Sequence, residues 1–224
     1  MMSYIIGFLK KNKHFLYLLV FVPLILVFYF CQRFITPRYI MHSKYDEYIP
    51  FVKFFIVPYI FWFIYMAIGF VYFGLKSKEE FIKLLKFIFW GMSISYMIFV
   101  LFPSGQNMRP SLNDKDVFSK AVGFIYSVDP PINVFPSIHV INAIGVNIAV
   151  CNSALFNNRK RIKSLSSIVM IFICASTVFI KQHSLIDVLA GTVLSLGIYS
   201  VIYYIPEVIK KKRNKEVEKE SAVK

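Results

Sequence analysis

Acidic side chains are scarce in this chain: 12 Asp and Glu stand against 26 Lys and Arg, for a formal charge of +14. In a soluble protein that balance would point to nucleic acid. Here the basic residues fall in short clusters between long apolar runs, so the charge reads as a membrane-topology signal and no nucleic-acid partner is expected. Cysteine is scarce too. Cys31, Cys151 and Cys174 lie in or beside apolar segments without paired spacing, which argues against a disulfide framework and a cysteine zinc site. Internal repeats are missing, and no low-complexity tract precedes the charged tail after Pro206. Lys10, Lys11 and Lys13 precede the first apolar run as in a signal peptide, but the run is too long and lacks a small-residue cleavage site. An uncleaved first helix is expected.

What is abundant is apolar surface. Hydrophobic residues make up 57% of the 224 positions and aromatics 18%, more than a soluble domain carries. Several runs approach the roughly 20 apolar residues that cross a bilayer core of about 30 Å. Six spans are predicted, at about 14–34, 51–74, 84–102, 138–156, 165–180 and 185–205. In residues 114–126, Val117, Phe118, Ala121, Val122 and Ile125 recur at helical spacing, flanked by Asp114, Asp116 and Lys120. That pattern predicts a short amphipathic helix lying at the interface. The expected fold is therefore an all-α integral membrane protein with six transmembrane helices plus this interfacial helix. It forms one domain over residues 1–224, with 207–224 as a charged cytoplasmic tail.

Orientation follows from the basic residues. Of 26, 18 fall in the N-terminus, the 75–86 region, residues 159–163 and the tail, and the remaining 8 fall in the alternate connections. Both termini are thus expected in the cytoplasm of a plasma-membrane protein. The long connections, 32–53 and 103–135, then lie outside. "RYIMHSKYDEYIPF" (Arg38 to Phe51) alternates aromatic and charged residues as an interfacial segment does. Within it, Tyr45, Asp46 and Glu47 read as a solvated loop.

This topology brings Arg109, Ser137, His139, Lys181, His183 and Asp187 to one membrane face. Away from helix ends, Asp187 is the only acidic residue in any predicted span, and intramembrane ionisable groups are costly. His183 and Asp187 are four apart, so one lies above the other on a helix. The carboxylate can accept one imidazole proton and leave the other nitrogen as a nucleophile. His139, at another helix entrance, is placed to protonate a departing alkoxide. Arg109 carries a fork suited to phosphate oxygens, and Ser137 opens a helix whose free N–H groups suit an anion. Together they describe phosphoryl transfer through a phosphohistidine.

Blander readings exist for each residue. "SLID" (Ser184 to Asp187) fits a capping box, Arg109 can anchor to headgroups, and Lys181 can snorkel. His139 at a helix start suits a structural or interfacial role, and Asn142, Asn147 and Asn152 suit interhelical hydrogen bonds. A metal held by His139, His183 and Asp187 lacks any further ligand cluster.

"FPSGQNMRP", "PSIH" and "STVFIKQHSLID" resemble, in order and spacing, the three blocks of the type 2 phosphatidic acid phosphatases, or lipid phosphate phosphatases. The likeness covers about residues 102–191. Three positions depart from it: Phe102 and Thr177 stand where the family has a lysine and an arginine, and Ile138 replaces a glycine. A non-glycine in Pro-Ser-x-His is similar to the inositol phosphorylceramide and sphingomyelin synthase branch, which passes a headgroup to an alcohol. The resemblance implies a lipid phosphatase working at the outer face without metal or cofactor. His183 is then nucleophile, Asp187 its orienter and His139 the acid and then base, with Arg109, Ser137 and Lys181 on phosphoryl oxygens. A headgroup phosphotransferase and a non-catalytic lipid-binding protein are the alternatives, and the lipid itself stays open.

Overall fold

The structure is a computed structural model describing residues 11–112 and 116–222. Lys10 of the N-terminal cluster and Asp114 of the expected interfacial helix lie outside the described residues.

A tight helical stretch, Lys13–Val20, runs into α1 (Phe21–Phe34), and a turn at Lys53–Phe55 opens α2 (Ile56–Lys76). Then follow α3 (Lys78–Leu101), the short α4 (Val117–Val128), α5 (Ile138–Asn152), α6 (Lys160–Phe179) and α7 (Leu185–Tyr199). A π-helical turn, Ser200–Tyr204, joins α7 to α8 (Ile205–Ala222). The expected tail is thus the continuation of the last helix, supported on its surface by a Glu207–Lys211 pair at 2.7 Å. Helix α3 starts six residues before the predicted span. Ser77 caps it by accepting from the Glu80 amide, and Glu79 and Glu80 occupy its first turn, where the helix dipole favours them.

Of the six expected spans, five are matched by length and composition. Among the described residues, five helical runs are long and apolar enough to cross a membrane, and α5 is not one of them. It ends at Asn152, and its 15 residues span only about 22 Å. The physical reason is its position. Helix α5 is the central pillar, packed against α2, α3, α6 and α7, with eight of its residues buried. A helix surrounded by protein does not have to match the bilayer. The outer helices present the apolar surface a lipid would cover, as at Leu26, Phe30, Leu189 and Val193.

The pillar requires close approach. A Cβ on Gly145 of α5 would stand 2.5 Å from a ring carbon of Phe87, which is wholly buried in α3. Gly145→Ala is expected to cost about 1–3 kcal/mol, as overpacking does. Gly197→Ala, in α7 with nothing within 4 Å of the added carbon, is expected to be neutral to slightly stabilising. Thermal midpoints of the two variants in detergent check this pair.

The two long connections meet at one end of the bundle. Tyr39–Ile40 (β1) pairs in parallel with Ser104–Gly105 (β2), and Gly105 also bridges Ile132. Helix α4 lies beside them, capped by Asp116, which accepts from the Phe118 and Ser119 amides and pairs with Lys53 at 2.8 Å. Val122 and Ile125 face inward as expected, but Val117, assigned to the apolar stripe, is 77% exposed because it opens the helix beyond the packed face.

Candidate active site

Helix α7 begins beneath these connections. Its N-terminus has the capping box expected from "SLID": the Asp187 carboxylate accepts from the Ser184 amide at 2.8 Å. The same Oδ2 lies 3.5 Å from His183 Nδ1, close enough for an ion pair but without a completed hydrogen bond among the described residues. Asp187 is thus cap and neighbour of the imidazole at once. Ser137 N donates to the Asp187 carbonyl at 3.1 Å, so the starts of α5 and α7 are joined directly. Gly191 permits the crossing, because a Cβ there would come within 3.0 Å of the Ser137 carbonyl oxygen. His139, the second residue of α5, therefore faces His183, with ring centroids 5.9 Å apart. Its other neighbours are the rings of Tyr59 and Trp62, each at 4.7 Å.

The residues before α7 are gripped one by one. Tyr126 Oη donates to the Ile180 carbonyl at 2.6 Å, and Gln106 Nε2 to the Lys181 carbonyl at 2.8 Å. The Gln182 and His183 amides both donate to the Thr177 carbonyl, at 2.9 and 3.0 Å. Lys181 itself takes a left-handed conformation, with φ of 56°. That geometry turns its side chain to the Asp46 and Ile49 carbonyls, 2.9 and 2.6 Å away, and off the cavity wall.

Asp46 corrects the reading of the first long connection as a solvated loop. It is buried, and its carboxylate accepts from Ser184 Oγ at 2.5 Å, the Leu185 amide at 2.9 Å and the Ser43 amide at 2.7 Å. A negative charge at the first turn of α7 is favoured by the helix dipole. Tyr45 beside it is exposed as expected.

A cavity of about 590 Å³ opens in front of the two histidines. His139, His183 and Arg109 line it, whereas the fully buried Ser137 does not and spends its hydroxyl on the α5 cap. Gln32, Tyr59, Asp129, Asn133, Asn142 and Gln182 complete its polar end. Below, Phe21, Ile25 and Phe28 of α1 face Phe63, Met66 and Phe70 of α2, with Met92 and Tyr96 of α3 behind. From Gln32 to Phe21 the apolar part descends roughly 16 Å along α1. Ile25, Tyr29 and Phe63 line the cavity and are also exposed, so it opens sideways between α1 and α2. The Phe21 and Phe70 rings, 5.6 Å apart, bring the two helices together again at its foot.

Arg109 is held edge-on. Its Nη1 donates to the Tyr126 carbonyl at 3.1 Å, its Nη2 to the Asp129 carbonyl at 2.6 Å and to Gln182 Oε1, and it lies 4.3 Å over the Tyr126 ring. Burial lowers its pKa from the usual arginine value, with the Asp129 charge opposing. Its Nε has no hydrogen-bond partner among the described residues.

The two family cations absent from the sequence are not replaced by Lys181. Phe102 stacks on Tyr39 at 4.2 Å, and Thr177 is buried with its hydroxyl on the Cys174 carbonyl. Of the three asparagines, Asn147 bridges α5 to Ser166 and Ser167 of α6, Asn152 bonds its own helix, and Asn142 lines the cavity with Oδ1 unpartnered among the described residues. Sequence reasoning missed Asp129, Gln182, Gln32, Tyr59 and Trp62 at the site, and Asp46 behind it. For Gln182 the adjacency to His183 was a usable signal.

No curated protein and no solved structure gave a match. A family model described as the PAP2 superfamily matches residues 94–211, just over half of the chain. That segment contains Arg109, His139, His183 and Asp187, and with it the chain belongs to the PAP2 superfamily.

Proposed function

We propose that this chain is a membrane-embedded lipid phosphate phosphatase that breaks the phosphorus–oxygen bond to the lipid through a phosphohistidine at the outer face. The observation that carries the reading is the pair of histidines on one cavity wall, one of them backed by a buried carboxylate. With Nδ1 turned to Asp187, His183 presents Nε2 to phosphorus. His139 gives its proton to the departing lipid oxygen and then takes one from the attacking water. Contacts such as the 3.5 Å His183–Asp187 approach often tighten only when substrate is bound. The apolar trough below the histidines suits a lipid tail. The excess of basic residues at the opposite end of the bundle supports placing that end, and both termini, in the cytoplasm.

A lipid alcohol in place of water is a second reading. It is favoured by the apolar lining that Ile138, Met92 and Tyr96 contribute to the same cavity. Both readings share one intermediate. Rapid quenching of the protein with a lipid labelled at phosphorus is expected to trap an acid-labile, alkali-stable adduct on His183, located by mass spectrometry. An adduct elsewhere, or turnover with no adduct, would sink the mechanism. Neither adduct nor turnover with any phospholipid leaves a binding protein.

A further inference from the structure

The mechanism above leaves one carboxylate of the cavity without a task. Asp129 follows α4, and its side chain is turned into the polar end beside Arg109 and His183. Gln32 Nε2 donates to its Oδ1 at 3.2 Å, and Gln182 Nε2 and Tyr59 Oη donate to its Oδ2 at 3.2 and 3.3 Å. Burial raises its pKa, opposed by His183, Arg109 and the Tyr59 hydroxyl. All three side-chain donors are neutral, so no cation among them takes up its charge.

The charge count of the wall is unusual for a phosphate site. Among the described residues, Arg109 is the one permanent cation lining the cavity, and Asp129 stands beside it with the opposite sign. A phosphate monoester carries nearly two negative charges at neutral pH. It would meet a guanidinium whose Nη groups are already committed and a carboxylate that repels it. A phosphodiester carries one charge, and Arg109 Nε, buried and without a hydrogen-bond partner among the described residues, is the guanidinium donor left to meet it. Asp129 then needs a cation on the same ligand. Asn133, with both side-chain polar atoms unpartnered among the described residues, adds a donor and an acceptor at the same end.

We propose that the polar end of the cavity binds a zwitterionic phospholipid headgroup, the phosphodiester against Arg109 and His183 and the ammonium group against Asp129 and the Tyr59 ring. A desolvated ammonium gains from both a carboxylate and an aromatic face. The proposal rests on the assignment of His183 as the group that meets phosphorus, and it replaces the phosphomonoester of a lipid phosphate phosphatase by a phosphodiester as the substrate class of that same site. On such a substrate the Nε2–phosphorus bond forms as the phosphorus–oxygen bond to diacylglycerol breaks, and His139 protonates that oxygen. Water then attacks phosphorus, Nε2 leaves, His139 takes the water proton, and the phosphorylated amino alcohol is released.

The test measures binding and needs no turnover. The full chain carrying His183→Ala is titrated in detergent with dioleoyl phosphatidylethanolamine and with dioleoyl phosphatidic acid, by native mass spectrometry. The ethanolamine lipid is expected to bind at least tenfold tighter. Asp129→Asn in the same background is expected to bring that ratio close to one by weakening the ethanolamine lipid, and Asp129→Glu to restore part of it. Equal or tighter binding of phosphatidic acid to the His183→Ala chain with Asp129 in place overturns the proposal, even if Asp129→Asn fails to fold. So does an Asp129→Asn variant that weakens both lipids equally, which would make the carboxylate a brace for Gln32, Tyr59 and Gln182. A missing adduct on His183 in the quench experiment is separate and would overturn the mechanism, leaving the measured binding ratio intact.

Discussion

His183→Ala is expected to lower the release of lipid alcohol from a phospholipid substrate by at least ~10³-fold, since it removes the atom that bonds phosphorus. The change should leave the fold in place. The His183 side chain supports no helix cap, and its backbone amide, which bonds Thr177, is kept by alanine. The informative companion is Asp187→Asn. An asparagine oxygen still accepts from the Ser184 amide and preserves the cap at α7, but it presents an amide in place of a carboxylate to His183 Nδ1. If Asp187 holds the imidazole tautomer, activity falls roughly 10²–10⁴-fold with little loss of thermal stability. If Asp187 is a cap and nothing else, activity survives. Lipid-alcohol release and the thermal midpoint, measured on the same preparations, separate the two roles.

Asp46→Ala is expected to give the largest loss of stability, although the residue sits more than 130 positions from the histidine whose loop it holds. Its carboxylate is the acceptor for Ser184 Oγ, the Leu185 amide and the Ser43 amide. A buried donor left without an acceptor costs about 1–3 kcal/mol, and a part-buried one, which water can reach, costs less. With one buried and two part-buried donors stranded, the substitution should cost roughly 3–5 kcal/mol. For a chain of this size that is a fall of about 10 °C or more in the thermal midpoint. Activity should fall with it, because Ser184 and Leu185 start the helix that carries Asp187. Asp46→Asn, which keeps one acceptor oxygen, should lie between the two. A midpoint unchanged in Asp46→Ala would mean that the first long connection does not secure α7.

These expectations show where sequence reasoning reaches and where it stops. The His183–Asp187 pair and its capping box were legible because helical geometry ties residues four apart to one face, whatever the rest of the chain does. His139 was legible because alternating spans and basic clusters order the connections. Lys181 was misjudged for a physical reason: a cation near the nucleophile suggests a phosphate ligand, but the left-handed backbone sends its ammonium to two loop carbonyls. Asp129 stands in an irregular segment, next to Pro130 and Pro131, where no period says which way a side chain points. Asp46 looked solvated because charged neighbours surround it in sequence; only the packing of a distant helix start buries it. The length of α5 depends on what surrounds it in three dimensions, and no count of apolar residues along one segment supplies that.

The sideways mouth between α1 and α2 has a consequence for how the reaction would be supplied. A lipid entering there never leaves the plane of the bilayer, so its search is two-dimensional. The quantity that sets the rate is then its mole fraction among neighbouring lipids, and diluting the vesicles in buffer leaves turnover unchanged, whereas diluting the substrate with inert lipid slows it. The exposed faces of Ile25, Tyr29 and Phe63 become a threshold whose upkeep depends on the membrane itself.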